Sequence, residues 1–157
     1  VIINRKQYDA GLQIHDMKKD IVYDYKGWNE IESCINILVE KILSKKFLFR
    51  SISTISRGGL VPARLVADRF NIKQIFVDVD TIPVDSLFVD DIYDTGETFR
   101  KIIQRADNPD QLVYATLFAR REKNHPKQLL YAKLTKDNEY IVYPWDRFEH
   151  GIPYESH

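Results

Sequence analysis

The clearest period in the chain begins at Trp28. Trp28, Ile31, Ile35, Leu38, Val39 and Ile42 recur at helical spacing, with Asn29, Glu30, Glu32, Glu40 and Lys41 on the other face. The pattern predicts a core-packing helix over 28–44. Beyond it the signal shortens. A strand is expected over 47–56, broken by Arg57-Gly58-Gly59. A helix over 61–70 follows, with Pro62 tolerated in its first turn and Asn71 able to end it. Residues 74–79, 86–89 and 112–119 predict three more strands, and 98–105 a helix closed by Asn108-Pro109. Two short extended runs, 131–134 and 140–143, flank the turn Lys136-Asp137-Asn138. Residues 1–27 carry the weakest pattern, with Val1-Ile2-Ile3 and Ile21-Val22-Tyr23 as candidate strands.

Strands alternating with helices predict an α/β fold, a mostly parallel sheet flanked by helices. Ligands of such sheets sit outside the carboxyl ends of the strands. Stretches 56–59, 90–98 and 119–121 all follow predicted strands, so they are expected to converge at one edge. The chain has 157 residues and no repeat, low-complexity stretch or linker, which predicts a single domain over 1–157.

Composition narrows the function classes. Apolar residues make up 44% and charged residues 29%, a globular balance that argues against disorder. Lys plus Arg number 23 and Asp plus Glu 23, so no global field recommends nucleic acid or an anionic membrane as partner. An anion must be held by a local site. Cys34 is the only cysteine, which excludes an internal disulfide and a Cys-based zinc site, and a buried thiol is expected there. His15, His125, His150 and His157 lack metal-ligand spacing. No apolar run approaches ~18–20 residues and the first residues do not match a signal peptide, so a soluble, cytoplasmic protein is expected.

The candidate chemistry centres on Leu87-Phe88-Val89-Asp90-Asp91-Ile92-Tyr93-Asp94-Thr95-Gly96-Glu97-Thr98. An apolar strand, a small-residue turn and a helix start make a phosphate cradle of backbone N–H groups. Gly96 admits close approach, and Thr95 and Thr98 add hydroxyl donors. Asp90 and Asp91 would repel a bare phosphate. Sugar hydroxyls, a divalent cation, or both would suit them, so a phosphorylated sugar fits the whole string. The plain alternative is a strand-to-helix turn with an Asp cap and solvated acids. Ser56-Arg57-Gly58-Gly59-Leu60-Val61-Pro62 repeats the strand-loop-helix arrangement, with Arg57 able to grip a second anion.

The first string resembles the PRPP (phosphoribosyl pyrophosphate) motif of type I phosphoribosyltransferases. The second resembles that family's pyrophosphate loop, closest to the xanthine–guanine branch. The resemblance covers roughly 28–149 and leaves 1–20 unmatched. It implies transfer of ribose 5-phosphate from PRPP to a purine base, a 6-oxopurine, with release of pyrophosphate. Asp90 and Asp91 would hold the ribose diol and Mg²⁺, and Asp94 would accept a proton near the purine N7. Thr95, Gly96, Glu97 and Thr98 would hold the 5-phosphate. Arg57, Gly58, Gly59 and Lys73 would hold pyrophosphate. Thr116-Leu117-Phe118-Ala119-Arg120 resembles the strand whose terminal basic residue, usually Lys, contacts the purine 6-oxygen. Tyr140-Ile141-Val142-Tyr143-Pro144-Trp145-Asp146 resembles a small C-terminal base-binding hood. There Tyr140 would stack on the base beside Ile141, Asp146 would face its amino-group side, and Trp145 is expected in the core. A homo-oligomer, a dimer, is expected.

Two features depart from the family pattern. Its members usually carry a long flexible lid before the PRPP-motif strand, where this chain has only 80–85. That shortness supports an alternative, a non-catalytic PRPP- or nucleotide-sensing regulator on the same fold. A rival resemblance joins Ile75-Phe76-Val77-Asp78-Val79-Asp80-Thr81 and Asp90-Asp91-Ile92-Tyr93-Asp94 to the acidic motifs of haloacid-dehalogenase-type phosphatases. Those motifs lie far apart in that family and close together here, which argues against it.

Overall fold

The computed structural model describes residues 20–121 and 124–146. The candidate strand at 1–3 lies outside them. The chain divides into a larger unit, Asn29–Asp137, and a smaller one drawn from both ends.

The larger unit is built on a five-stranded, all-parallel sheet. Its strands are β2 (Ser51–Thr54), β3 (Ile75–Val77), β4 (Ser86–Tyr93), β5 (Tyr114–Arg120) and β6 (Leu129–Thr135), in the order β3-β2-β4-β5-β6. Every residue of β2 and β5 is buried, as expected of parallel strands covered on both faces. Helix α1 (Trp28–Ser44) follows the expected span and buries Ile31, Cys34, Ile35, Leu38 and Ile42. Helix α2 (Leu60–Phe70) packs against β2, β3 and β4, and ends on Asn71 in the left-handed conformation. Helix α3 (Glu97–Ile103) presses Phe99 and Ile102 into a cluster with Phe88, Leu112 and Tyr114. Buried polar groups in the central strands are satisfied: Ser53 Oγ and Ser86 Oγ lie 2.7 Å apart, and Thr54 Oγ1 donates to Val89 O at 2.6 Å.

The chain order reverses between β2 and β4, so the binding crevice belongs at their carboxyl ends. Strand β4 also runs further than its apolar run predicts. The register Asp90↔Thr116, Ile92↔Phe118 and Tyr93↔Ala119 carries it through both acids to Tyr93. Ladder pairing with a fully buried β5 outweighs the weak strand preference of Asp.

The 80–85 connection is a packed strap. Ile82 is 1% exposed and sits in the cluster with Phe88, Phe99 and Tyr114. Its N–H donates to Arg105 O at 2.8 Å, and its carbonyl accepts from Asp107 N at 3.0 Å.

In the smaller unit, β1 (Val22–Tyr25) pairs in parallel with β7 (Glu139–Val142). The expected strand at 21–23 thus finds its partner near the other end of the chain. Tyr23 stands opposite Tyr140 with ring centroids 5.6 Å apart. Trp145 stacks on Tyr143 at 4.7 Å and leans on Trp28 at 5.8 Å. No helix among the described residues is long and apolar enough to cross a membrane.

Candidate active site

A cleft of ≈ 240 Å³ opens where the switch point predicts it, lined by 90–99 together with Ile55, Ser56, Gly58 and Tyr114. That is smaller than the ~300–1,000 Å³ of drug-sized pockets and suits a compact polar ligand. The two loops singled out in the sequence meet in it. A methyl group at Gly58 would lie 3.0 Å from both carboxylate oxygens of Asp91, so glycine lets the 56–59 loop close onto the acid pair.

Asp90 is 5% exposed. Tyr114 Oη donates to its Oδ2 at 2.9 Å, and Asp91 N to its Oδ1 at 2.8 Å. Burial pushes the Asp90 carboxyl above the ordinary aspartate range, and these hydrogen bonds oppose the shift. Burial and then the Asp90 charge push the Tyr114 phenol up, which keeps it a donor. Asp91 is half-buried and accepts from Ile92 N at 2.8 Å. No group of three or more His, Cys, Asp or Glu among the described residues could cage a metal ion. Two adjacent carboxylates on a polar cleft are the donor set that Mg²⁺ takes when substrate oxygens and waters complete its shell, so these residues fit it.

The loop after β4 carries the remaining residues. Asp94 and Thr95 are exposed, Gly96 adopts φ 83°, and Thr95 Oγ1 accepts from Glu97 N at 3.3 Å. Lys101 Nζ holds Glu97 Oε1 at 3.0 Å and pulls its carboxyl below the usual range, so that acid's charge is balanced at the loop. Asp94 meets Arg120 from the end of β5, Nε to Oδ1 at 2.9 Å. Arg120 is 7% exposed, and its Nη1 also donates to Lys136 O at 2.7 Å.

On the second loop, the Ser56–Arg57 peptide is cis and Arg57 is exposed. Asp78, just past β3 with φ 54°, accepts from Ser56 N at 2.8 Å and from Ser56 Oγ. Those bonds hold its carboxyl below the ordinary range. The phosphatase-like reading of Asp78 as a nucleophile therefore meets a carboxylate committed to Ser56. Its anchoring of the loop was not anticipated, and no local pattern around Asp78 signals it.

Other site candidates fall elsewhere. Gly59 is buried behind the cleft wall. Lys73 precedes β3, and the register Ile52↔Ile75 puts it at the amino edge of the sheet, opposite the cleft. Tyr140, Ile141 and Asp146 belong to the smaller unit: Tyr140 is exposed, Ile141 buried and Asp146 half-buried.

No family model matches the chain. It is 25% identical over 146 residues to xanthine-guanine phosphoribosyltransferase of Chromohalobacter salexigens, covering 82% of this chain and 85% of that protein. The Idiomarina loihiensis protein of the same name is 27% identical over 150 residues, at 82% and 89% coverage. Among solved structures, Helicobacter pylori xanthine-guanine-hypoxanthine phosphoribosyltransferase superposes with TM-score 0.67, over 83% of this chain and 97% of that one, at 13% identity. At that identity it speaks for the fold alone. The names of these sequence relatives and the shared fold are consistent with a type I phosphoribosyltransferase of the xanthine–guanine branch.

Proposed function

We propose that this protein transfers the 5-phosphoribosyl group of PRPP to a 6-oxopurine and releases pyrophosphate. The meeting of the 56–59 loop with the Asp90–Asp91 pair at the sheet's switch point carries the reading. The names of the sequence relatives favour it over a non-catalytic regulator. Asp90 and Asp91 take the ribose diol and would hold a Mg²⁺. When bound, the ion neutralises charge on the leaving group. The 94–98 backbone and Thr98 hold the 5-phosphate, and Arg57 with Gly58 the pyrophosphate. The bond from the anomeric carbon to the pyrophosphate oxygen breaks as that carbon bonds to a base nitrogen. The transition state has oxocarbenium character, so holding the reactants in line is the protein's main contribution.

Asp94 and Arg120 form an acceptor and a donor side by side, 2.9 Å apart. A 6-oxopurine offers the matching edge, a carbonyl oxygen for Arg120 and an N7–H for Asp94. Adenine would turn an amino group toward Arg120, which costs ~1–3 kcal/mol in unpaired donors. The protein acts in the cytoplasm, as a dimer. Incubation with PRPP, Mg²⁺ and a panel of bases tests the reading. Pyrophosphate release should follow guanine, xanthine or hypoxanthine, and a preference for adenine or a pyrimidine overturns the base assignment.

The buried strap adds a second expectation. With Ile82 bonded at both ends to 105–107, residues 80–85 cannot swing over the cleft. Water then competes with the base for the ribosyl cation, and electrostatic stabilisation weakens in the wet site. Slow synthesis with a measurable share of PRPP hydrolysis is expected. The ratio of ribose 5-phosphate to nucleotide measures it, and fast turnover with negligible hydrolysis would mean that another segment closes the site.

A further inference from the structure

Tyr93, the last residue of β4, is 8% exposed and lines the cleft. Its ring is wedged edge-on between Phe99, at 6.0 Å, and His125, at 5.8 Å. Those contacts fix the ring direction and bring the hydroxyl out beside Gly96. A methyl group on Gly96 would stand 2.6 Å from Tyr93 Oη and 3.3 Å from Arg100 Nη1. A phenol and a guanidinium therefore converge on one side of the 94–98 loop. Tyr93 Oη reaches the cleft and makes no hydrogen bond to another described residue. A tyrosine with a packed ring and a hydroxyl on the cleft presents that hydroxyl to whatever the cleft holds.

The neighbours say what would pair it. The guanidinium is donor-only, and a phenol beside it is left to donate to a third group. An acceptor that satisfies both must be rich in lone pairs and favoured by positive charge, which describes the oxygens of a phosphate monoester. The positive φ of Gly96 turns the loop backbone at the same spot. We infer that Tyr93 Oη donates a hydrogen bond to the ligand's 5-phosphate, as a side-chain contact supplementing the loop backbone, with Arg100 as the cation behind it. The inference rests on the PRPP reading of the cleft and adds a residue to it. It also gives Gly96 a second reason to be glycine, since any β-carbon there would displace the hydroxyl.

The test is Tyr93→Phe, which keeps both ring contacts and removes one oxygen. Calorimetry in Mg²⁺ compares ribose 5-phosphate, which needs the 94–98 loop, with pyrophosphate, which is assigned to the 56–59 loop. Ribose 5-phosphate affinity should fall about ten- to a hundredfold, the worth of one hydrogen bond to a charged group. Pyrophosphate affinity and Tm should stay as in the parent protein. Equal ribose 5-phosphate affinity in parent and variant overturns the inference alone. Parallel losses for both ligands overturn it too, because they report a loosened cleft. A parent protein that binds no ribose 5-phosphate overturns the PRPP reading itself.

Discussion

Converting Asp90 and Asp91 together to asparagine lowers Mg²⁺-dependent PRPP affinity by on the order of 100-fold or more, the scale on which metal-site partners act. Both carboxylates border the cleft, and under the proposed function their two charges are what the ribose diol and the cation recognise. The single change Asp90→Asn separates function from stability. Its carboxylate is nearly sealed from water and held above its ordinary pKa by burial. An acid whose folded pKa is raised binds its proton more tightly folded than unfolded. It therefore costs stability at any pH above the folded pKa, and the cost disappears as pH falls below the ordinary value of 3.8. Asparagine keeps the partners, accepting from Asp91 N and donating to Tyr114 Oη. Asp90→Asn should thus raise Tm at pH 7. The gain should vanish near pH 4. Calorimetric titration of PRPP and melting curves at the two pH values check both halves. Unchanged PRPP affinity in the double variant would remove the acids from the site, and a lower Tm for Asp90→Asn at pH 7 would refute the burial argument.

Gly59→Ala is expected to be the most disruptive single methyl in the larger unit. Its added carbon would lie 2.1 Å from Thr54 Oγ1, 2.8 Å from Val89 O and 3.1 Å from Ile55 O. Those atoms are the carboxyl end of β2, the middle of β4 and the hydrogen bond between them. Helix α2 starts on this glycine, with Ala63 N donating to Gly59 O at 2.9 Å, so the helix cannot retreat without losing its first bond. Overpacking a backbone junction of this kind costs about 3 kcal/mol, or roughly 6–12 °C in Tm. The added methyl and the Thr54 hydroxyl compete for one space. The double variant Gly59→Ala, Thr54→Ala should therefore be less destabilised than the sum of the singles. Urea unfolding of the four proteins measures this coupling, and simple additivity would show that the clash lies elsewhere.

The legible parts of the chain were those whose signal is local. Helix α1 declares itself through Ile31, Ile35, Leu38 and Ile42, and α2 through its ending at Asn71. The acid pair and the 94–98 turn are contiguous, so the order of residue types was enough to propose a site. What the sequence hid depends on partners distant in the chain. The extension of β4 to Tyr93 comes from pairing with β5, and β1 acquires its place from β7. Lys73 was assigned by position along the chain, yet the parallel register carries it to the amino edge. Gly59 resembles an anion-binding glycine from its neighbours, although its surroundings are the end of β2, the middle of β4 and the Thr54 hydroxyl. No local pattern marks Asp78 or Tyr93, and their importance appears only once Ser56 and Gly96 stand beside them.

The strap at Ile82 also determines where this chain can change length without harm. Asp80 and Thr81 are exposed and come just after β3, so they leave the sheet at its carboxyl edge. Extra residues inserted between them would begin and end on the cleft side and would cost only loop entropy, about 0.6 kcal/mol for each doubling in length. An insertion two residues later would instead cut the Ile82 bridge to Ala106 and unseat a core side chain. The same short connection that leaves the cleft bare therefore keeps a graft point beside it, with the anchoring of β4 independent of whatever is spliced there.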